Sequence, residues 1–225
     1  MKKLFLYEEV MLLALRDEEG TFSNEFVEFA VAGAVLAELL LKDHVFIADD
    51  RRKLIDHNDP SPTGDPIIDE CQERITQVKR RASLKNWIPR LAHIPKLRKK
   101  VAHQLCERGI VRSDEEKVLL LFPRTVYPEI NPKPEKEIIN RLEGAIFEQK
   151  KDLDPRTVIL ISLAYRTDLL KHNLDDKKLR KHRKRIEQIV EGEVTGEAAG
   201  DFLGVGAASA VSLIPALIAG SVSSS

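Results

Sequence analysis

The clearest local signal in this 225-residue chain is the stretch Pro60-Ser-Pro-Thr-Gly-Asp-Pro66, in which three prolines and a glycine interrupt helical patterns on both sides. The stretch ends in a helix start, because Asp65 is a favourable N-cap residue and Pro66 suits the first helical position. Two acidic residues follow in the first turn, where they complement the helix dipole. The sequence therefore predicts a turn and then a helix that runs to about Arg81.

Helical periodicity dominates the chain on either side of this break. Before it, Leu4 to Arg16 is predicted to be a helix, and Ser23 or Asn24 is suited to cap a second one. The small residues between Ala30 and Ala37 predict that this second helix packs closely and is buried. The remaining predicted helices are a short one around Trp87 that Pro89 kinks or ends, one from Lys96 to Arg108 that Gly109 stops, and 135–150, 156–172, 176–191 and an apolar C-terminal helix at about 197–222.

Short apolar runs beside turn residues predict two hairpins. In the first, His44 to Ala48 and Lys53 to Ile55 flank a charged turn, and the second contains the apolar run Val118 to Phe122. No segment has the composition of a flexible linker. We therefore expect a mainly α fold, a single helical domain over residues 1–225 with short, wing-like β-hairpins.

The overall charge is balanced, with 36 basic and 36 acidic side chains. A neutral total removes the simplest argument for a nucleic-acid partner, which is a protein that is basic overall. The only two cysteines, Cys71 and Cys106, exclude a disulfide scaffold and are interpreted as core residues. No signal peptide is predicted at the N-terminus, so we expect a cytoplasmic protein.

The charges are nevertheless unevenly distributed. Between Tyr7 and Glu28 there are seven acids and one base, whereas Lys79 to Lys100, hereafter the basic segment, contains nine bases and no acid. Such a segment can hold a positive local potential, since distant charges are screened. A second run, Lys177 to Arg185, has seven bases in nine residues, and its acidic neighbours favour a solvated helix face.

Motifs for catalysis and for metal binding are missing from the sequence. The six histidines do not form a zinc-protease pattern, and there is no CxxC or GxSxG motif. Gly204-Val-Gly-Ala-Ala-Ser209 does not follow a predicted strand, so it does not qualify as a dinucleotide loop. Adjacent Glu8 and Glu9 point in different directions on a helix. We expect no enzyme activity, no metal and no cofactor.

The segment Phe202 to Val222 has no charged residue over 21 positions, which is about the length of a membrane-spanning helix. Only nine of these residues are Phe, Leu, Ile or Val, and no Lys or Arg follows. A helix packed on the domain is favoured over a tail anchor.

Several segments together resemble the Golgi phosphoprotein 3 family, in family order along the chain. The matching pieces are Leu4-Phe-Leu-Tyr-Glu-Glu9, Asp17-Glu-Glu-Gly20, Gly33-Ala-Val-Leu-Ala-Glu-Leu39, Pro62-Thr-Gly-Asp-Pro-Ile-Ile-Asp-Glu70, Asn86-Trp-Ile88, Leu97-Arg98, Leu105-Cys-Glu-Arg-Gly-Ile110 and Glu116-Lys-Val-Leu-Leu-Leu-Phe122.

The resemblance implies a mostly helical, non-enzymatic peripheral membrane protein. Family members in eukaryotes bind phosphatidylinositol 4-phosphate at Golgi membranes and hold the cytosolic tails of membrane enzymes for sorting. Of the four head-group contacts that the resemblance implies, three fall near Ser23, on Ala32 and on Pro95, and Arg98 alone is retained. A bacterial relative, without a Golgi, also fits.

Two functions from different classes remain as alternatives. The first is an adaptor that docks on an anionic membrane, with Arg98 at the lipid phosphate and Lys96, Lys99 and Arg90 as supporting charges. The second is a protein-interaction or oligomerisation module that binds no lipid. A basic segment that shares one exposed face would favour the membrane, and scattered bases would favour the interaction module.

The apolar run of the second hairpin also has two interpretations. Its residues form either a buried strand or, as the resemblance implies, a hairpin that inserts into the bilayer. The anchors would then be Leu119, Leu120, Leu121 and Phe122.

Overall fold

The structure is a computed structural model of the chain. It describes residues 3–15, 26–48, 51–118, 122–148, 150 and 152–191, with the side chains of 116–118 and 122–124 left undescribed. The buried apolar residues between Leu4 and Val190 form one continuous core. The predicted C-terminal helix at 197–222 lies outside the described residues, and a single domain over 1–225 therefore stays a prediction.

Helices make up most of the described chain. They are α1 (Leu6–Ala14), α2 (Val27–Leu41), α3 (Pro66–Thr76), α4 (Leu84–Ala92), α5 (Leu97–Glu107), α6 (Lys133–Ile146), α7 (Pro155–Arg166), α8 (Leu169–Asn173), α9 (Asp176–Lys181) and α10 (Arg183–Val190). The strands are β1 (Val45–Ile47), β2 (Ile55–His57), β3 (Asp114–Val118) and β4 (Phe122–Val126). The prediction of a mainly α fold with short hairpins is confirmed.

Helix α2 lies at the centre of the core. It packs against α1, α4 and α7, and its residues from Ala30 to Leu40 are all buried. A helix that is apolar on all sides must be enclosed by other elements. The small side chains of Ala30, Gly33 and Ala37 allow this close approach, as the sequence predicted.

A helix capped by Asp65 follows the Pro60 to Pro66 turn, as predicted. The Asp65 carboxylate accepts hydrogen bonds from the backbone N–H groups of Ile67 and Ile68, at 3.1 and 2.9 Å, and so caps α3. The helix is shorter than predicted and ends at Thr76.

Three other boundaries differ from the prediction, and a fourth helix continues at a proline where a kink or an end was predicted. The N-cap residue of α2 is Phe26, and the predicted caps Ser23 and Asn24 lie outside the described residues. Helix α4 continues past Pro89, because burial of its apolar face outweighs one lost backbone hydrogen bond. The helix predicted at 156–172 breaks at Asp168, which has a φ of 59°. The helix predicted at 176–191 breaks at His182.

Both hairpins are antiparallel. In the first, Val45 pairs with His57 and Ile47 with Ile55. In the second, pairing runs from Asp114 and Val126 to Val118 and Phe122. Among the helices that the structure describes, none combines the length and apolar composition needed to cross a bilayer.

Candidate functional site

Two of the family motifs, Leu4 to Glu9 and Pro62 to Glu70, meet in a buried polar network. The Tyr7 hydroxyl on α1 donates a hydrogen bond to the Asp65 carboxylate, at 2.7 Å. The Gln104 amide on α5 donates to the Asp65 carboxylate at 2.9 Å and to the Tyr7 hydroxyl at 2.6 Å. Burial, reinforced by Asp65, raises the pKa of Tyr7 well above its usual range. Tyr7 is therefore a neutral donor, and the network joins α1, α3 and α5.

Glu8 and Glu9 contribute to the interior on two different sides of α1. The Glu8 carboxylate is fully buried and accepts from the Arg108 guanidinium at 2.5 Å and from the backbone N–H of Phe5 at 2.8 Å. Glu9 accepts from Arg141 at 2.6 Å. As expected for adjacent helical residues, the two carboxylates do not converge on a common reacting position.

A third buried carboxylate, Glu38, fixes the start of α1 to α2 and α7. Its Oε1 accepts from the backbone N–H of Leu6 at 2.6 Å and lies 2.8 Å from the Arg156 guanidinium. Burial raises the pKa of the nearby Glu9, although Arg141 and Arg156 oppose the shift. The acids of α1 are therefore structural, and they do not contribute to a negative surface.

Because Gln104 and Arg108 are both fixed to α1, the C-terminal half of α5 is rigidly placed. The opposite end of α5 carries the last third of the basic segment. The preceding helix, α4, buries Leu84, Trp87, Ile88 and Leu91. A spacing of 100° per residue places His93 opposite to these buried residues, with Lys85 and Arg90 about 140° apart on either side of it. All three are exposed.

All the charged residues in the first turn of α5 are basic. Lys96 is the N-cap residue, with a left-handed φ of 60°, and Arg98, Lys99 and Lys100 follow without an acidic residue in the turn. Cations at a helix N-terminus oppose the helix dipole, which favours anions there. Among the residues that the structure describes, nothing accepts a hydrogen bond from the backbone N–H of Lys99. This turn is electrostatically suited to an anion.

Three of the nine bases are already paired with carboxylates. The Arg98 guanidinium forms an ion pair with Glu28 in the first turn of α2. On the other flank of α5, Lys100 lies 2.5 Å from Glu70 on α3. Arg81 lies 2.7 Å from Asp56. Within the described part of the chain, the other six bases have no carboxylate partner, and all are exposed: Lys79, Arg80, Lys85, Arg90, Lys96 and Lys99.

The four predicted head-group residues thus differ in availability. Lys96 and Lys99 are exposed, Arg90 lies over the Trp87 ring at 5.2 Å, and Arg98 is engaged by Glu28. The sequence analysis did not identify Glu28 as the partner of Arg98, because 69 intervening residues carry no signal of the contact.

One position that the resemblance links to a head-group contact is part of the core. Ala32 is fully buried in α2, so its side chain reaches no ligand at the surface. Of the predicted hairpin anchors, Leu119, Leu120 and Leu121 lie outside the described residues, and so does the side chain of Phe122. Their insertion therefore stays a prediction.

The second basic run forms the exposed sides of α9 and α10. Arg180 pairs with Asp176 and Arg183 with Glu187, each within its own helix. These pairs are consistent with the predicted solvated helix face.

Neither cysteine is placed for chemistry. Cys71 is buried, and burial raises the pKa of its thiol to about 12, so the reactive thiolate is negligible at neutral pH. Burial also raises the pKa of Cys106, with a smaller effect of Glu107. Over the described residues, no group of three or more His, Cys, Asp or Glu side chains is arranged to hold a metal ion.

Comparison with known proteins agrees with the arrangement of motifs. A family profile described as Golgi phosphoprotein 3 (GPP34) matches residues 6–204. The chain is also similar to vacuolar protein sorting-associated protein 74 of Eremothecium gossypii, with 29% identity over 173 residues. That match covers 67% of this chain and 51% of the relative, so the chain spans about half the length of that curated relative. The chain belongs to the Golgi phosphoprotein 3 family.

Proposed function

We propose that this protein is a non-catalytic peripheral membrane adaptor that binds an anionic phospholipid through the N-terminal turn of α5 and the exposed face of α4. The observation that carries the proposal is the first turn of α5, in which every charged residue is basic and Lys99 has an open backbone N–H and an exposed ammonium group. Lys96 and Arg90 extend the positive surface toward α4. No acidic residue lies within the basic segment to oppose it.

The binding free energy expected from these charges is sufficient for reversible attachment to a membrane. Each Lys or Arg near an anionic membrane contributes ~1 kcal/mol. The four exposed cations of α4 and of this turn, Lys85, Arg90, Lys96 and Lys99, would together contribute about 4 kcal/mol. Such binding is reversible and sensitive to salt, because exposed charges are screened.

The adaptor role rests on family membership. The relative's name refers to protein sorting, and the resemblance implies phosphatidylinositol 4-phosphate as the lipid and the cytosolic tails of membrane enzymes as clients. On this proposal the protein lies on the cytoplasmic side of a membrane, which in a eukaryote is the Golgi. The β3–β4 hairpin would add an apolar anchor through Leu119 to Phe122.

Sedimentation with vesicles tests the lipid contact. The variant Lys96→Glu/Lys99→Glu changes two exposed side chains without carboxylate partners in the described structure, so its fold should be unchanged. We expect wild-type protein to sediment with anionic vesicles at low salt and the variant to lose at least about tenfold in affinity. The control is Lys181→Glu/Lys184→Glu, which makes the same charge change on α9 and α10. An equal loss in both variants, or none in either, contradicts the proposed surface.

The second candidate, an interaction module, is favoured by a different observation. Among the described residues, the large apolar side chains that are exposed are Phe46 on β1, at 44%, and Ile130, at 53%. Sedimentation velocity of wild-type protein and of Phe46→Ser tests whether the first hairpin mediates self-association. A concentration-dependent oligomer that Phe46→Ser abolishes, together with no vesicle binding, would favour this alternative.

A further inference from the structure

The Arg98 side chain already has an anionic partner inside the protein. Its Nε lies in an ion pair with Oε1 of Glu28, and both side chains are partly exposed, at 36% and 23%. Glu28 is in the first turn of α2, where its charge is also favourable to the helix dipole. Any phosphate that binds the Arg98 fork must therefore compete with this carboxylate.

The charge of the incoming group decides that competition. A carboxylate carries one negative charge, as does the phosphodiester of an ordinary phospholipid. A phosphate monoester carries about −1.5 to −2 at neutral pH and has three strong acceptor oxygens. Its attraction to the guanidinium is correspondingly greater at equal distance. A monoester can displace Glu28 or share Arg98 with it, whereas a phosphodiester gains little from the exchange.

We propose that Glu28 acts as a competing internal anion that restricts the Arg98 site to lipids with a phosphate monoester. This inference rests on the proposed function and adds to it the residue that sets the head-group threshold. Removing the Glu28 charge removes this competitor for Arg98, so a singly charged lipid phosphate should also bind there. The variant Glu28→Gln is therefore expected to bind more lipid and to discriminate less.

The other flank of α5 provides a matched control. Lys100 and Glu70 form an exposed pair whose side chains are 40% and 27% accessible, similar to Arg98 and Glu28. Residues 98 and 100 are about 200° apart around the helix, so the two pairs lie on different sides. Glu70 also pairs with Arg74 at 3.2 Å, and Lys100 has no planar fork for bidentate phosphate binding. Glu70→Gln removes the same charge near α5 without releasing Arg98.

The experiment compares three vesicle types by sedimentation. One is phosphatidylcholine alone, and the others add phosphatidylserine or phosphatidic acid, matched in total negative charge. Phosphatidic acid presents a phosphate monoester, whereas phosphatidylserine presents a phosphodiester and a carboxylate but no monoester. We expect wild-type protein to bind phosphatidic acid vesicles at least about threefold more tightly, and Glu28→Gln to gain about fivefold on phosphatidylserine. Glu70→Gln should gain less than about twofold, and Glu28→Gln/Arg98→Gln should lose the gain.

The outcomes separate the two proposals. If Lys96→Glu/Lys99→Glu lowers binding but wild-type protein does not distinguish the two lipids, the membrane surface stands and the role of Glu28 is wrong. Equal gains from Glu28→Gln and Glu70→Gln, or a gain that persists without Arg98, also overturn it. Absence of binding by all forms overturns both proposals. Soluble glycerol phosphate, added as a competitor, tests whether the site binds a free phosphate monoester as well as a lipid. Full competition at low concentration would contradict a requirement for the membrane.

Discussion

The Tyr7 hydroxyl donates a 2.7 Å hydrogen bond to the Asp65 carboxylate and so connects two segments that are 58 residues apart in the sequence. Asp65 also caps α3 through Ile67 and Ile68. One buried side chain thus fixes the start of a helix and its position against α1. The basic first turn of α5 depends on this arrangement, because Gln104 joins α5 to the same two residues.

Removal of the Tyr7 hydroxyl should destabilise the fold. We expect Tyr7→Phe to lower the free energy of unfolding by about 2 kcal/mol, because a buried carboxylate loses a charged hydrogen bond. Asp65→Ala should cost more, since it also removes the cap of α3. Urea unfolding of the single and double variants gives the coupling energy between the two sites, which we expect to be about 1 kcal/mol or more. Tyr165→Phe, at a half-buried position, is the control, and equal losses at both tyrosines would contradict this prediction.

Arg108 should be far more important to stability than an exposed arginine. Its partner Glu8 is fully buried, so Arg108→Met leaves an uncompensated charge inside the protein, at an expected cost of about 3 kcal/mol. The control is Arg112→Met, which removes an exposed pair 3.4 Å from Asp114. We expect that change to cost less than about 1 kcal/mol. Chemical denaturation of both variants measures the difference, and similar losses would show that the buried pair is not special.

The raised pKa of Glu9 gives the stability a pH dependence of known sign. The pKa of Glu9 is higher in the folded chain than its ordinary value of 4.5. The folded state is therefore destabilised as the pH rises from that ordinary pKa through the pKa in the folded chain. We therefore expect Glu9→Gln to gain stability relative to wild type over this interval as the pH increases. Urea unfolding at several pH values between about 4 and 7 tests it. The control is Glu137→Gln, on the exposed side of α6, which shows the effect of removing one charge elsewhere. If Glu9→Gln instead loses stability relative to wild type as the pH rises, the raised pKa of Glu9 is wrong.

Cys71 should be unreactive in the folded protein. Its thiol is 1% exposed, and its pKa of about 12 leaves almost no thiolate at neutral pH. In a Cys106→Ser background, we expect alkylation of Cys71 to occur only through unfolding, at a rate that rises with urea. The parallel background Cys71→Ser reports on the partly exposed Cys106, which should react faster. Rapid alkylation of Cys71 without denaturant would show that α3 opens locally.

Much of the fold was predictable because its signals are local. Asp65 and Pro66 specify a helix start by their own backbone preferences, and the small residues of α2 predict a buried helix in any context. The breaks at Asp168 and His182 were missed because the apolar spacing continues through both positions. Helix α4 continues past Pro89, which was predicted to kink or end it, since propensity is weaker than the burial of Leu84, Trp87 and Leu91.

In the candidate site, too, some features follow from the sequence and others only from the tertiary structure. The sequence by itself determined that nine bases occur together without an acid and that the motifs follow the order of a known family. Only the tertiary structure decided which charges remain available. Glu8 and Glu9 are drawn inside, where burial makes ion pairs with Arg108 and Arg141 necessary, and Glu28 reaches Arg98 from a helix distant in sequence. Charge pairing depends on distances of a few ångströms in space, and no spacing along the chain encodes them.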